Sequence, residues 1–280
     1  MAKAKQPRGL LRILVIGAHP DDDEIKAGGS AALWARQGHM VRFVSATNGG
    51  TGHHAIGGIE LVRRRLAEAA AAAKVIGIES QVMEFTNGEL EPTLYYRKQF
   101  IKLIREFRPD LVLTHRPNDY HPDHRYTSQL VQDSSYVITV PNNLPTTPAL
   151  RYMPVIAYLS DNFQKPIPFQ PDVVVGIDDV VEQKLSMLDC HVSQFYEWIP
   201  WNQRIEHQVP RGEKARKEWL RRQRFQYDEA VATKHRKKLV ELYGRRKGSK
   251  IRYAEAFEGC EYGAPLNKEA LTKLFPFFGK

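Results

Sequence analysis

The sequence predicts an α/β protein: a mostly parallel sheet with helices on both faces, followed by a C-terminal helical extension. Three observations lead there. Short apolar runs alternate with helical patterns of 12–18 residues from about residue 11 to beyond residue 123. The first run, LRILVIG at 11–17, is apolar throughout rather than alternating, as befits a strand buried on both faces. The residues richest in chemistry follow the strands, and open α/β sheets hold their ligands outside the carboxyl ends of the strands.

After the strand at 11–17, a helix pattern at about 27–38 (AGGSAALWARQG) closes at Gly38. A strand at 40–46 (MVRFVSA) leads into a glycine-rich loop at 47–58 (TNGGTGHHAIGG) and an alanine-rich helix at about 59–76. A strand at 81–85, a helix at 93–107, a strand at 110–114 (DLVLT) and a helix from about 123 repeat the cycle. Proline-rich residues 141–171, around a strand-like VIAYL, read as an excursion over the sheet. A strand at 172–177 (DVVVGI) and a helix at about 179–190 return to the core, and 212–244 forms a long, charged helical stretch before a shorter, mixed tail.

At 280 residues the chain is long for one compact domain and short for two ordinary ones. The motifs fall in 1–200, and 201–280 reads as a basic helical extension packed on that unit. The net charge of +9 is local: residues 211–250 hold 15 Lys/Arg and 5 Asp/Glu, leaving 26 basic and 27 acidic residues elsewhere. The basic stretch suits a solvated helix packed on the domain, or contact with an anionic substrate, a neighbouring subunit or a membrane surface. No helix-turn-helix, zinc finger or stacking platform is legible in it, which argues against sequence-specific nucleic-acid recognition. No apolar run reaches 18 residues, so no transmembrane segment is expected. The basic start, MAKAKQPRGL, lacks the apolar stretch and small-residue cleavage site of a secretory signal. Two cysteines, Cys190 and Cys260, make neither a disulfide framework nor a zinc ribbon. These features together suggest a cytoplasmic protein.

The densest chemistry is IGAHPDDDE at 16–24, where Asp21, Asp22, Asp23 and Glu24 follow a buried strand. One or two acids would complement a helix dipole, but four repel one another. A nucleotide loop fits badly, because Gly17, Gly28 and Gly29 do not make GxGxxG and the acids would repel a pyrophosphate. A bound cation resolves the repulsion. His19 and Asp22, three apart at a strand-to-helix turn, can converge on one ion, which then needs a third ligand from elsewhere. HRPNDYHPDH after the fourth strand offers His115, Asp119, His121, Asp123 and His124, with Pro122 suited to a first helical turn. Two histidines and a carboxylate would leave a coordination position open, as catalytic zinc sites do, and the same set suits Fe2+.

AHPDD at 18–22 and HPDH at 121–124 are the specific motifs, and NG at 48–49, Arg65-x-x-Glu68-Ala69, NGEL at 87–90 and CHVSQ at 190–194 support them. Over about residues 11–195 the chain resembles the GlcNAc-phosphatidylinositol deacetylase and LmbE-like (PIG-L) family, enzymes that remove an N-acetyl group from amino sugars. The resemblance implies a Rossmann-like three-layer fold, a deacetylase unit over 1–200, a Zn2+ cofactor, and a cytosolic or membrane-associated location. It implies His19, Asp22 and His124 as metal ligands and Asp21 as catalytic base. His121 would steady the oxyanion in its protonated form, Asp123 would orient the His121 imidazole, and Arg65 would reach the substrate. The family pattern HPDDxE gives Asp23 no role and leaves Glu24 to support His19 or the helix start. The implied activity is hydrolysis of an N-acetylglucosamine-type conjugate by metal-activated water. Another small N-acyl amide is the alternative substrate. The non-enzymatic alternative is a metal-containing protein that docks anionic partners through 211–250.

His53 and His54 stand in the glycine-rich loop, either solvent-exposed or as substrate contacts. His191 is placed near the pocket rim, where it would touch substrate, against the alternative of a helix C-terminal histidine. Asp119 either pairs with an imidazole or starts a turn, and His115 at a strand end reads as structural. FYEWIPW at 195–201 suits a sugar-binding groove, a homo-oligomer interface or plain core packing.

Overall fold

The computed structural model describes residues 9–278, so the basic stretch at 1–8 lies outside the described residues. The chain runs β1 (Arg12–Gly17), α1 (Asp22–Arg36), β2 (Met40–Thr47), α2 (Gly58–Ile76), β3 (Glu79–Phe85), α3 (Leu94–Phe107), β4 (Leu111–Thr114) and α4 (Pro122–Ser135). It continues through β5 (Val155–Leu159), β6 (Val173–Gly176), α5 (Val181–Cys190), α6 (Ile199–Asn202), α7 (Glu213–Lys234), α8 (Arg236–Gly248), β7 (Ala254–Gly259) and α9 (Lys268–Leu274). The strands form one sheet in the order β3-β2-β1-β4-β5-β7-β6. The first five strands in line, β3 through β5, are joined by four parallel pairings, and β7 runs antiparallel to both its neighbours.

Alternate residues of each central strand feed two separate cores, as the two-residue period requires. Ile13, Val15, Phe43, Leu111 and Leu113 pack against Ala27, Ala31 and Trp34 of α1 and against Leu274 and Phe275 at the C-terminal end of α9. Leu14, Ile16, Val44 and Val112 pack the other way, against Phe100, Ile104, Leu130 and Val131 of α3 and α4. The result is the helix–sheet–helix layering expected of buried parallel strands.

Four elements differ from the sequence-based expectation. VIAYL is no excursion: β5 pairs in parallel with β4 and is buried in the sheet, and only its flanking proline-rich loops run outside. Residues 137–150 are instead gathered by Arg105, whose buried guanidinium donates to the carbonyls of Val137, Ile138, Val140, Asn143, Leu144 and Thr147. Helix α1 starts at Asp22, so the acids form its first turn. The helical stretch at 212–244 is two helices, broken at His235. Finally, β7 comes from beyond residue 200 yet lies between β5 and β6, so a division at residue 200 cuts through the sheet. A short strand with antiparallel partners carries no βαβ signature, which is why the tail did not read as sheet.

The basic stretch is folded into this frame. Trp219, Leu220 and Phe225 of α7 pack with Leu185, Leu188 and Phe195. Lys184 of α5 is buried between Asp228 of α7 (2.9 Å) and Glu255 of β7 (2.8 Å). No helix among the described residues is long and apolar enough to cross a membrane.

Candidate active site

β2, β1 and β4 are adjacent and parallel, so the loops leaving their carboxyl ends emerge side by side. The turn after β1 is closed by its own acids. Asp22 Oδ2 accepts from the backbone N–H of Ala18 (3.1 Å) and His19 (2.8 Å). A Cβ on Gly17 would lie 2.6 Å from Asp23 Oδ1 and 2.8 Å from Asp22 Cβ, so glycine is what lets the acidic turn close over the strand end. Asp23, with no role in the family pattern, has a structural one: its Oδ2 accepts from Val44 N–H of β2 at 2.9 Å. Burial and the charges of Glu24 and Asp22 push its carboxyl well above the usual range.

Three donor atoms then face one another. His19 Nδ1 lies 3.2 Å from His124 Nε2, and Asp22 Oδ2 lies 3.4 Å from each. Tetrahedral coordination at bond lengths of about 2.0–2.1 Å separates ligand atoms by about 3.3–3.4 Å. The triangle therefore already has the dimensions of three tetrahedral vertices. The far side of each imidazole supports the same reading. His19 Nε2 lies 3.1 Å from Asp123 Oδ2, and His124 Nδ1 lies 3.1 Å from Asp119 Oδ2. A proton held on each distal nitrogen leaves the near nitrogen's lone pair facing the triangle. The two carboxylates are themselves held, Asp123 by Gly88 N–H (2.6 Å) and Asp119 by His121 N–H (2.9 Å). The donor set fits zinc, and by its chemistry ferrous iron as well.

Two more imidazoles crowd the triangle. His121 groups with His19 and His124, and His115 with Asp22 and His124, each within 4.8 Å. His115 Nε2 accepts from Ala18 N–H (3.0 Å) and lies 3.2 Å from Asp22 Oδ2, and its ring stacks on His124 at 4.0 Å, so it packs against two members of the triangle. Burial and the His124 charge pull it down to about 4. A histidine directly at a strand's carboxyl end was the signal for this part.

Charges in the metal-free cluster are divided unevenly. Burial opposes a charge on His19, but hydrogen bonds to Asp123 and Asp22 outweigh it and lift the imidazole to about 9. Burial also opposes the Asp22 carboxylate, yet His124 and His115 hold it well below the usual range. His121 goes the other way: burial and then the charges on His19 and His124 lower it to about 4. That direction runs against the protonated His121 that the resemblance implies. Its Nδ1 accepts from Asp123 N–H at 3.2 Å, which places the proton on Nε2. Asp123 orients this ring through its backbone; its carboxylate, 3.9 Å from His121 Nδ1, serves His19 instead.

Asp21 Oδ1 accepts from Arg65 Nη2 at 3.0 Å, and both side chains are buried. Arg65 therefore meets Asp21 rather than an open pocket. The β2 loop lies directly on it: Gly49 has φ +73, and a Cβ there would fall 2.9 Å from Arg65 Nε. Motif residues hold this region: Gln194 donates to Gly52 O of the loop (3.0 Å), and Ser193 donates to Glu68 of α2 through both N–H (2.9 Å) and Oγ (2.5 Å). His53 is held rather than free: Nε2 contacts Glu197 at 3.0 Å, and Arg64 binds the same carboxylate. His54 is exposed and stacked between His53 (4.5 Å) and Trp201 (4.7 Å). Glu197, which locks this rim, was unmarked in the sequence. His191 is fully buried instead of lying on a pocket rim, with Nε2 3.4 Å from Glu24 Oε1. Glu24 thus faces His191 and not His19, because the helical turn carries its side chain away from the triangle.

Known proteins resemble this chain in both sequence and fold. The family model described as PIG-L, GlcNAc-PI de-N-acetylase, matches residues 14–135, a span that holds every member of the triangle. A diacetylchitobiose deacetylase from Thermococcus kodakarensis is 32% identical over 202 residues, covering 68% of this chain and 73% of that protein. A 4-oxalmesaconate hydratase from Pseudomonas putida is 24% identical over 193 residues, covering 66% and 74%. Among solved structures, the N,N'-diacetylchitobiose deacetylase from Pyrococcus horikoshii superposes with a TM-score of 0.66 at 25% identity, covering 89% of this chain and 84% of that one. With the identity and coverage of the Thermococcus relative added to the matched motifs, the chain belongs to the GlcNAc-PI de-N-acetylase (PIG-L) family.

Proposed function

We propose that the protein is a metal-dependent hydrolase that removes the N-acetyl group from an N-acetylglucosamine-type conjugate, with zinc held by His19, Asp22 and His124. The observation that carries this reading is the 3.2–3.4 Å donor triangle beside a buried, arginine-held carboxylate that is no part of it. The names of the Thermococcus and Pyrococcus relatives support the substrate class. A structural metal site would need no spare Asp21 and no open position.

Zinc bound there would acidify a water molecule and polarise the acetamide carbonyl. The protein's own part follows from the geometry. Arg65 holds Asp21 Oδ1, which leaves the other oxygen to accept the water's proton. His121, neutral with its proton on Nε2, donates a hydrogen bond to the oxyanion as the carbonyl carbon becomes tetrahedral. Asp21 then returns the proton to the leaving amine. The Asp119 and Asp123 carboxylates keep both ligating imidazoles in the required tautomer.

The test combines metal content by mass spectrometry, on protein purified without added metal, with amine release from acetylated sugars and acetylated amines. The expected result is one zinc per chain, lost in Asp22→Ala, and amine release from the sugars. Asp21→Asn should keep the metal and lose at least about a hundredfold in turnover. Wild type that takes up no zinc, or Asp21→Asn with near-normal activity, overturns the reading.

A further inference from the structure

A cavity of about 400 Å³ lies away from the donor triangle, where the end of α1 meets α8 and the residues after α9. Asp22 opens the 15-residue α1 and Arg36 closes it. At 1.5 Å per residue the triangle and this cavity therefore stand about 20 Å apart along that helix. Small-molecule sites run from about 300 to 1,000 Å³ with mostly apolar walls and a few polar groups. Leu33, Ile251, Pro276 and Phe277 supply such walls here.

The cationic rim is built by a break in α8. Gly244, at φ +76, ends the helical run behind Tyr243, and the chain folds back on the helix. Gly248 packs so closely on the Leu239 carbonyl that a Cβ would not fit. Arg236 ties the turn down by donating to the carbonyls of Gly248 (2.8 Å) and Ile251 (2.6 Å). Lys247 and Lys250 are thereby carried to the cavity, with Lys247 Nζ 5.0 Å above the Tyr243 ring. Arg36 joins them from α1, spending Nη2 on the Asp179 carbonyl (2.9 Å). Among the described residues, none of these three cations has a carboxylate within 4.0 Å. Two acids also line the cavity. Asp178 accepts from the backbone N–H groups of Arg252 (2.9 Å) and Tyr253 (3.4 Å). The Asp179 carboxylate has no partner among the described residues.

Tyr243 adds an unused donor. Its buried hydroxyl accepts from Gly176 N–H at 3.0 Å. Burial pushes the phenol up to about 12, so the hydroxyl keeps its proton. No group among the described residues accepts that proton, and a buried donor left unpaired is costly. An anion in the cavity would take it and would be held by the three cations.

We propose that this cavity binds a phosphate monoester carried on a flat ring, of which a nucleoside monophosphate is a compact example. The phosphate accepts from Tyr243 and is met by Arg36, Lys247 and Lys250. The ring lies among Leu33, Ile251 and Phe277, and Asp179 accepts from a hydroxyl of the ligand. This site is separate from the deacetylase reading and does not rest on it. It also gives the end of the basic stretch a ligand of its own.

The experiment is isothermal calorimetry on the zinc-loaded full chain with adenosine monophosphate, and with adenosine and inorganic phosphate as its two halves. The nucleotide should bind at least about tenfold tighter than either half, the effect of charge-assisted hydrogen bonds added to apolar contact. Lys247→Gln and Lys250→Gln, both at exposed positions, should each weaken it severalfold, while Arg246→Gln, at an exposed neighbour outside the cavity, should leave it unchanged. A nucleotide that binds no tighter than its halves overturns the proposal. So does tight binding that survives both lysine substitutions, since the phosphate would then sit on the zinc or elsewhere. Binding is read without turnover, so absent amine release would defeat the deacetylase reading and leave this result standing.

Discussion

Asp123→Asn isolates what a carboxylate behind the metal does. Asp123 is fully buried, and one oxygen, Oδ2, meets both Gly88 N–H (2.6 Å) and His19 Nε2 (3.1 Å). Asparagine has the same shape and can keep an oxygen in that place, so the Gly88 contact and the packing survive. Lost is the negative charge that holds a proton on Nε2 and so keeps the Nδ1 lone pair facing Asp22 and His124. A hydrogen bond with one charged partner contributes about 1.5–3 kcal/mol and a neutral one about 0.5–1.5 kcal/mol. The difference, about 1–2 kcal/mol, corresponds to about 5- to 30-fold weaker zinc binding. That falls in the range of about 10–100-fold for loss of a residue that supports a metal ligand. Zinc affinity would be measured by competition with a chromophoric chelator at neutral pH, with circular dichroism to establish that both proteins are folded. Equal affinities would refute the argument that Asp123 sets the His19 tautomer.

Metal-free protein should have a stability maximum near pH 6.5. His19 is raised from 6.5 to about 9, so its stabilisation is fully present below 6.5 and is lost as pH rises through about 9. His115 and His121 are lowered to about 4, so the unfolded chain binds more protons between 4 and 6.5 and stability falls as pH drops through that window. Melting temperatures after chelation should trace this dome, and loading with zinc should remove the loss between 6.5 and 9, because the metal then replaces the proton. Lys184→Met should cost about 3–5 kcal/mol in urea unfolding, since it leaves Asp228 and Glu255 buried without their cation; a loss below about 1 kcal/mol would contradict that. Arg105→Met should destabilise by about 3 kcal/mol or more and speed proteolysis within 137–150, whose carbonyls it gathers. Proteolysis unchanged from wild type would mean that the segment is held by other contacts.

Much of this protein is legible along the chain because the relevant forces are local. Buried parallel strands must be apolar on both faces, so LRILVIG and DLVLT announce themselves. Acids packed behind a strand need partners, and the two motifs at 18–22 and 121–124 hold all three atoms of the triangle. What tertiary structure decided is which partner each polar group meets. Asp123 is two residues from His121, yet its carboxylate reaches His19 across 104 positions, because the capping turn at the start of α4 points it toward β1. Arg65 is drawn inward to Asp21, and His191 is buried against Glu24, through packing between helices that no spacing encodes. The same holds for β7, which enters the sheet from the far end of the chain, and for α7, whose basic sequence gives no hint that Asp228 meets the buried Lys184. Local pattern determines the elements and the donor atoms, because it needs only near neighbours. Pairings between charges on different elements depend on how those elements dock, and that is settled only when the whole core closes.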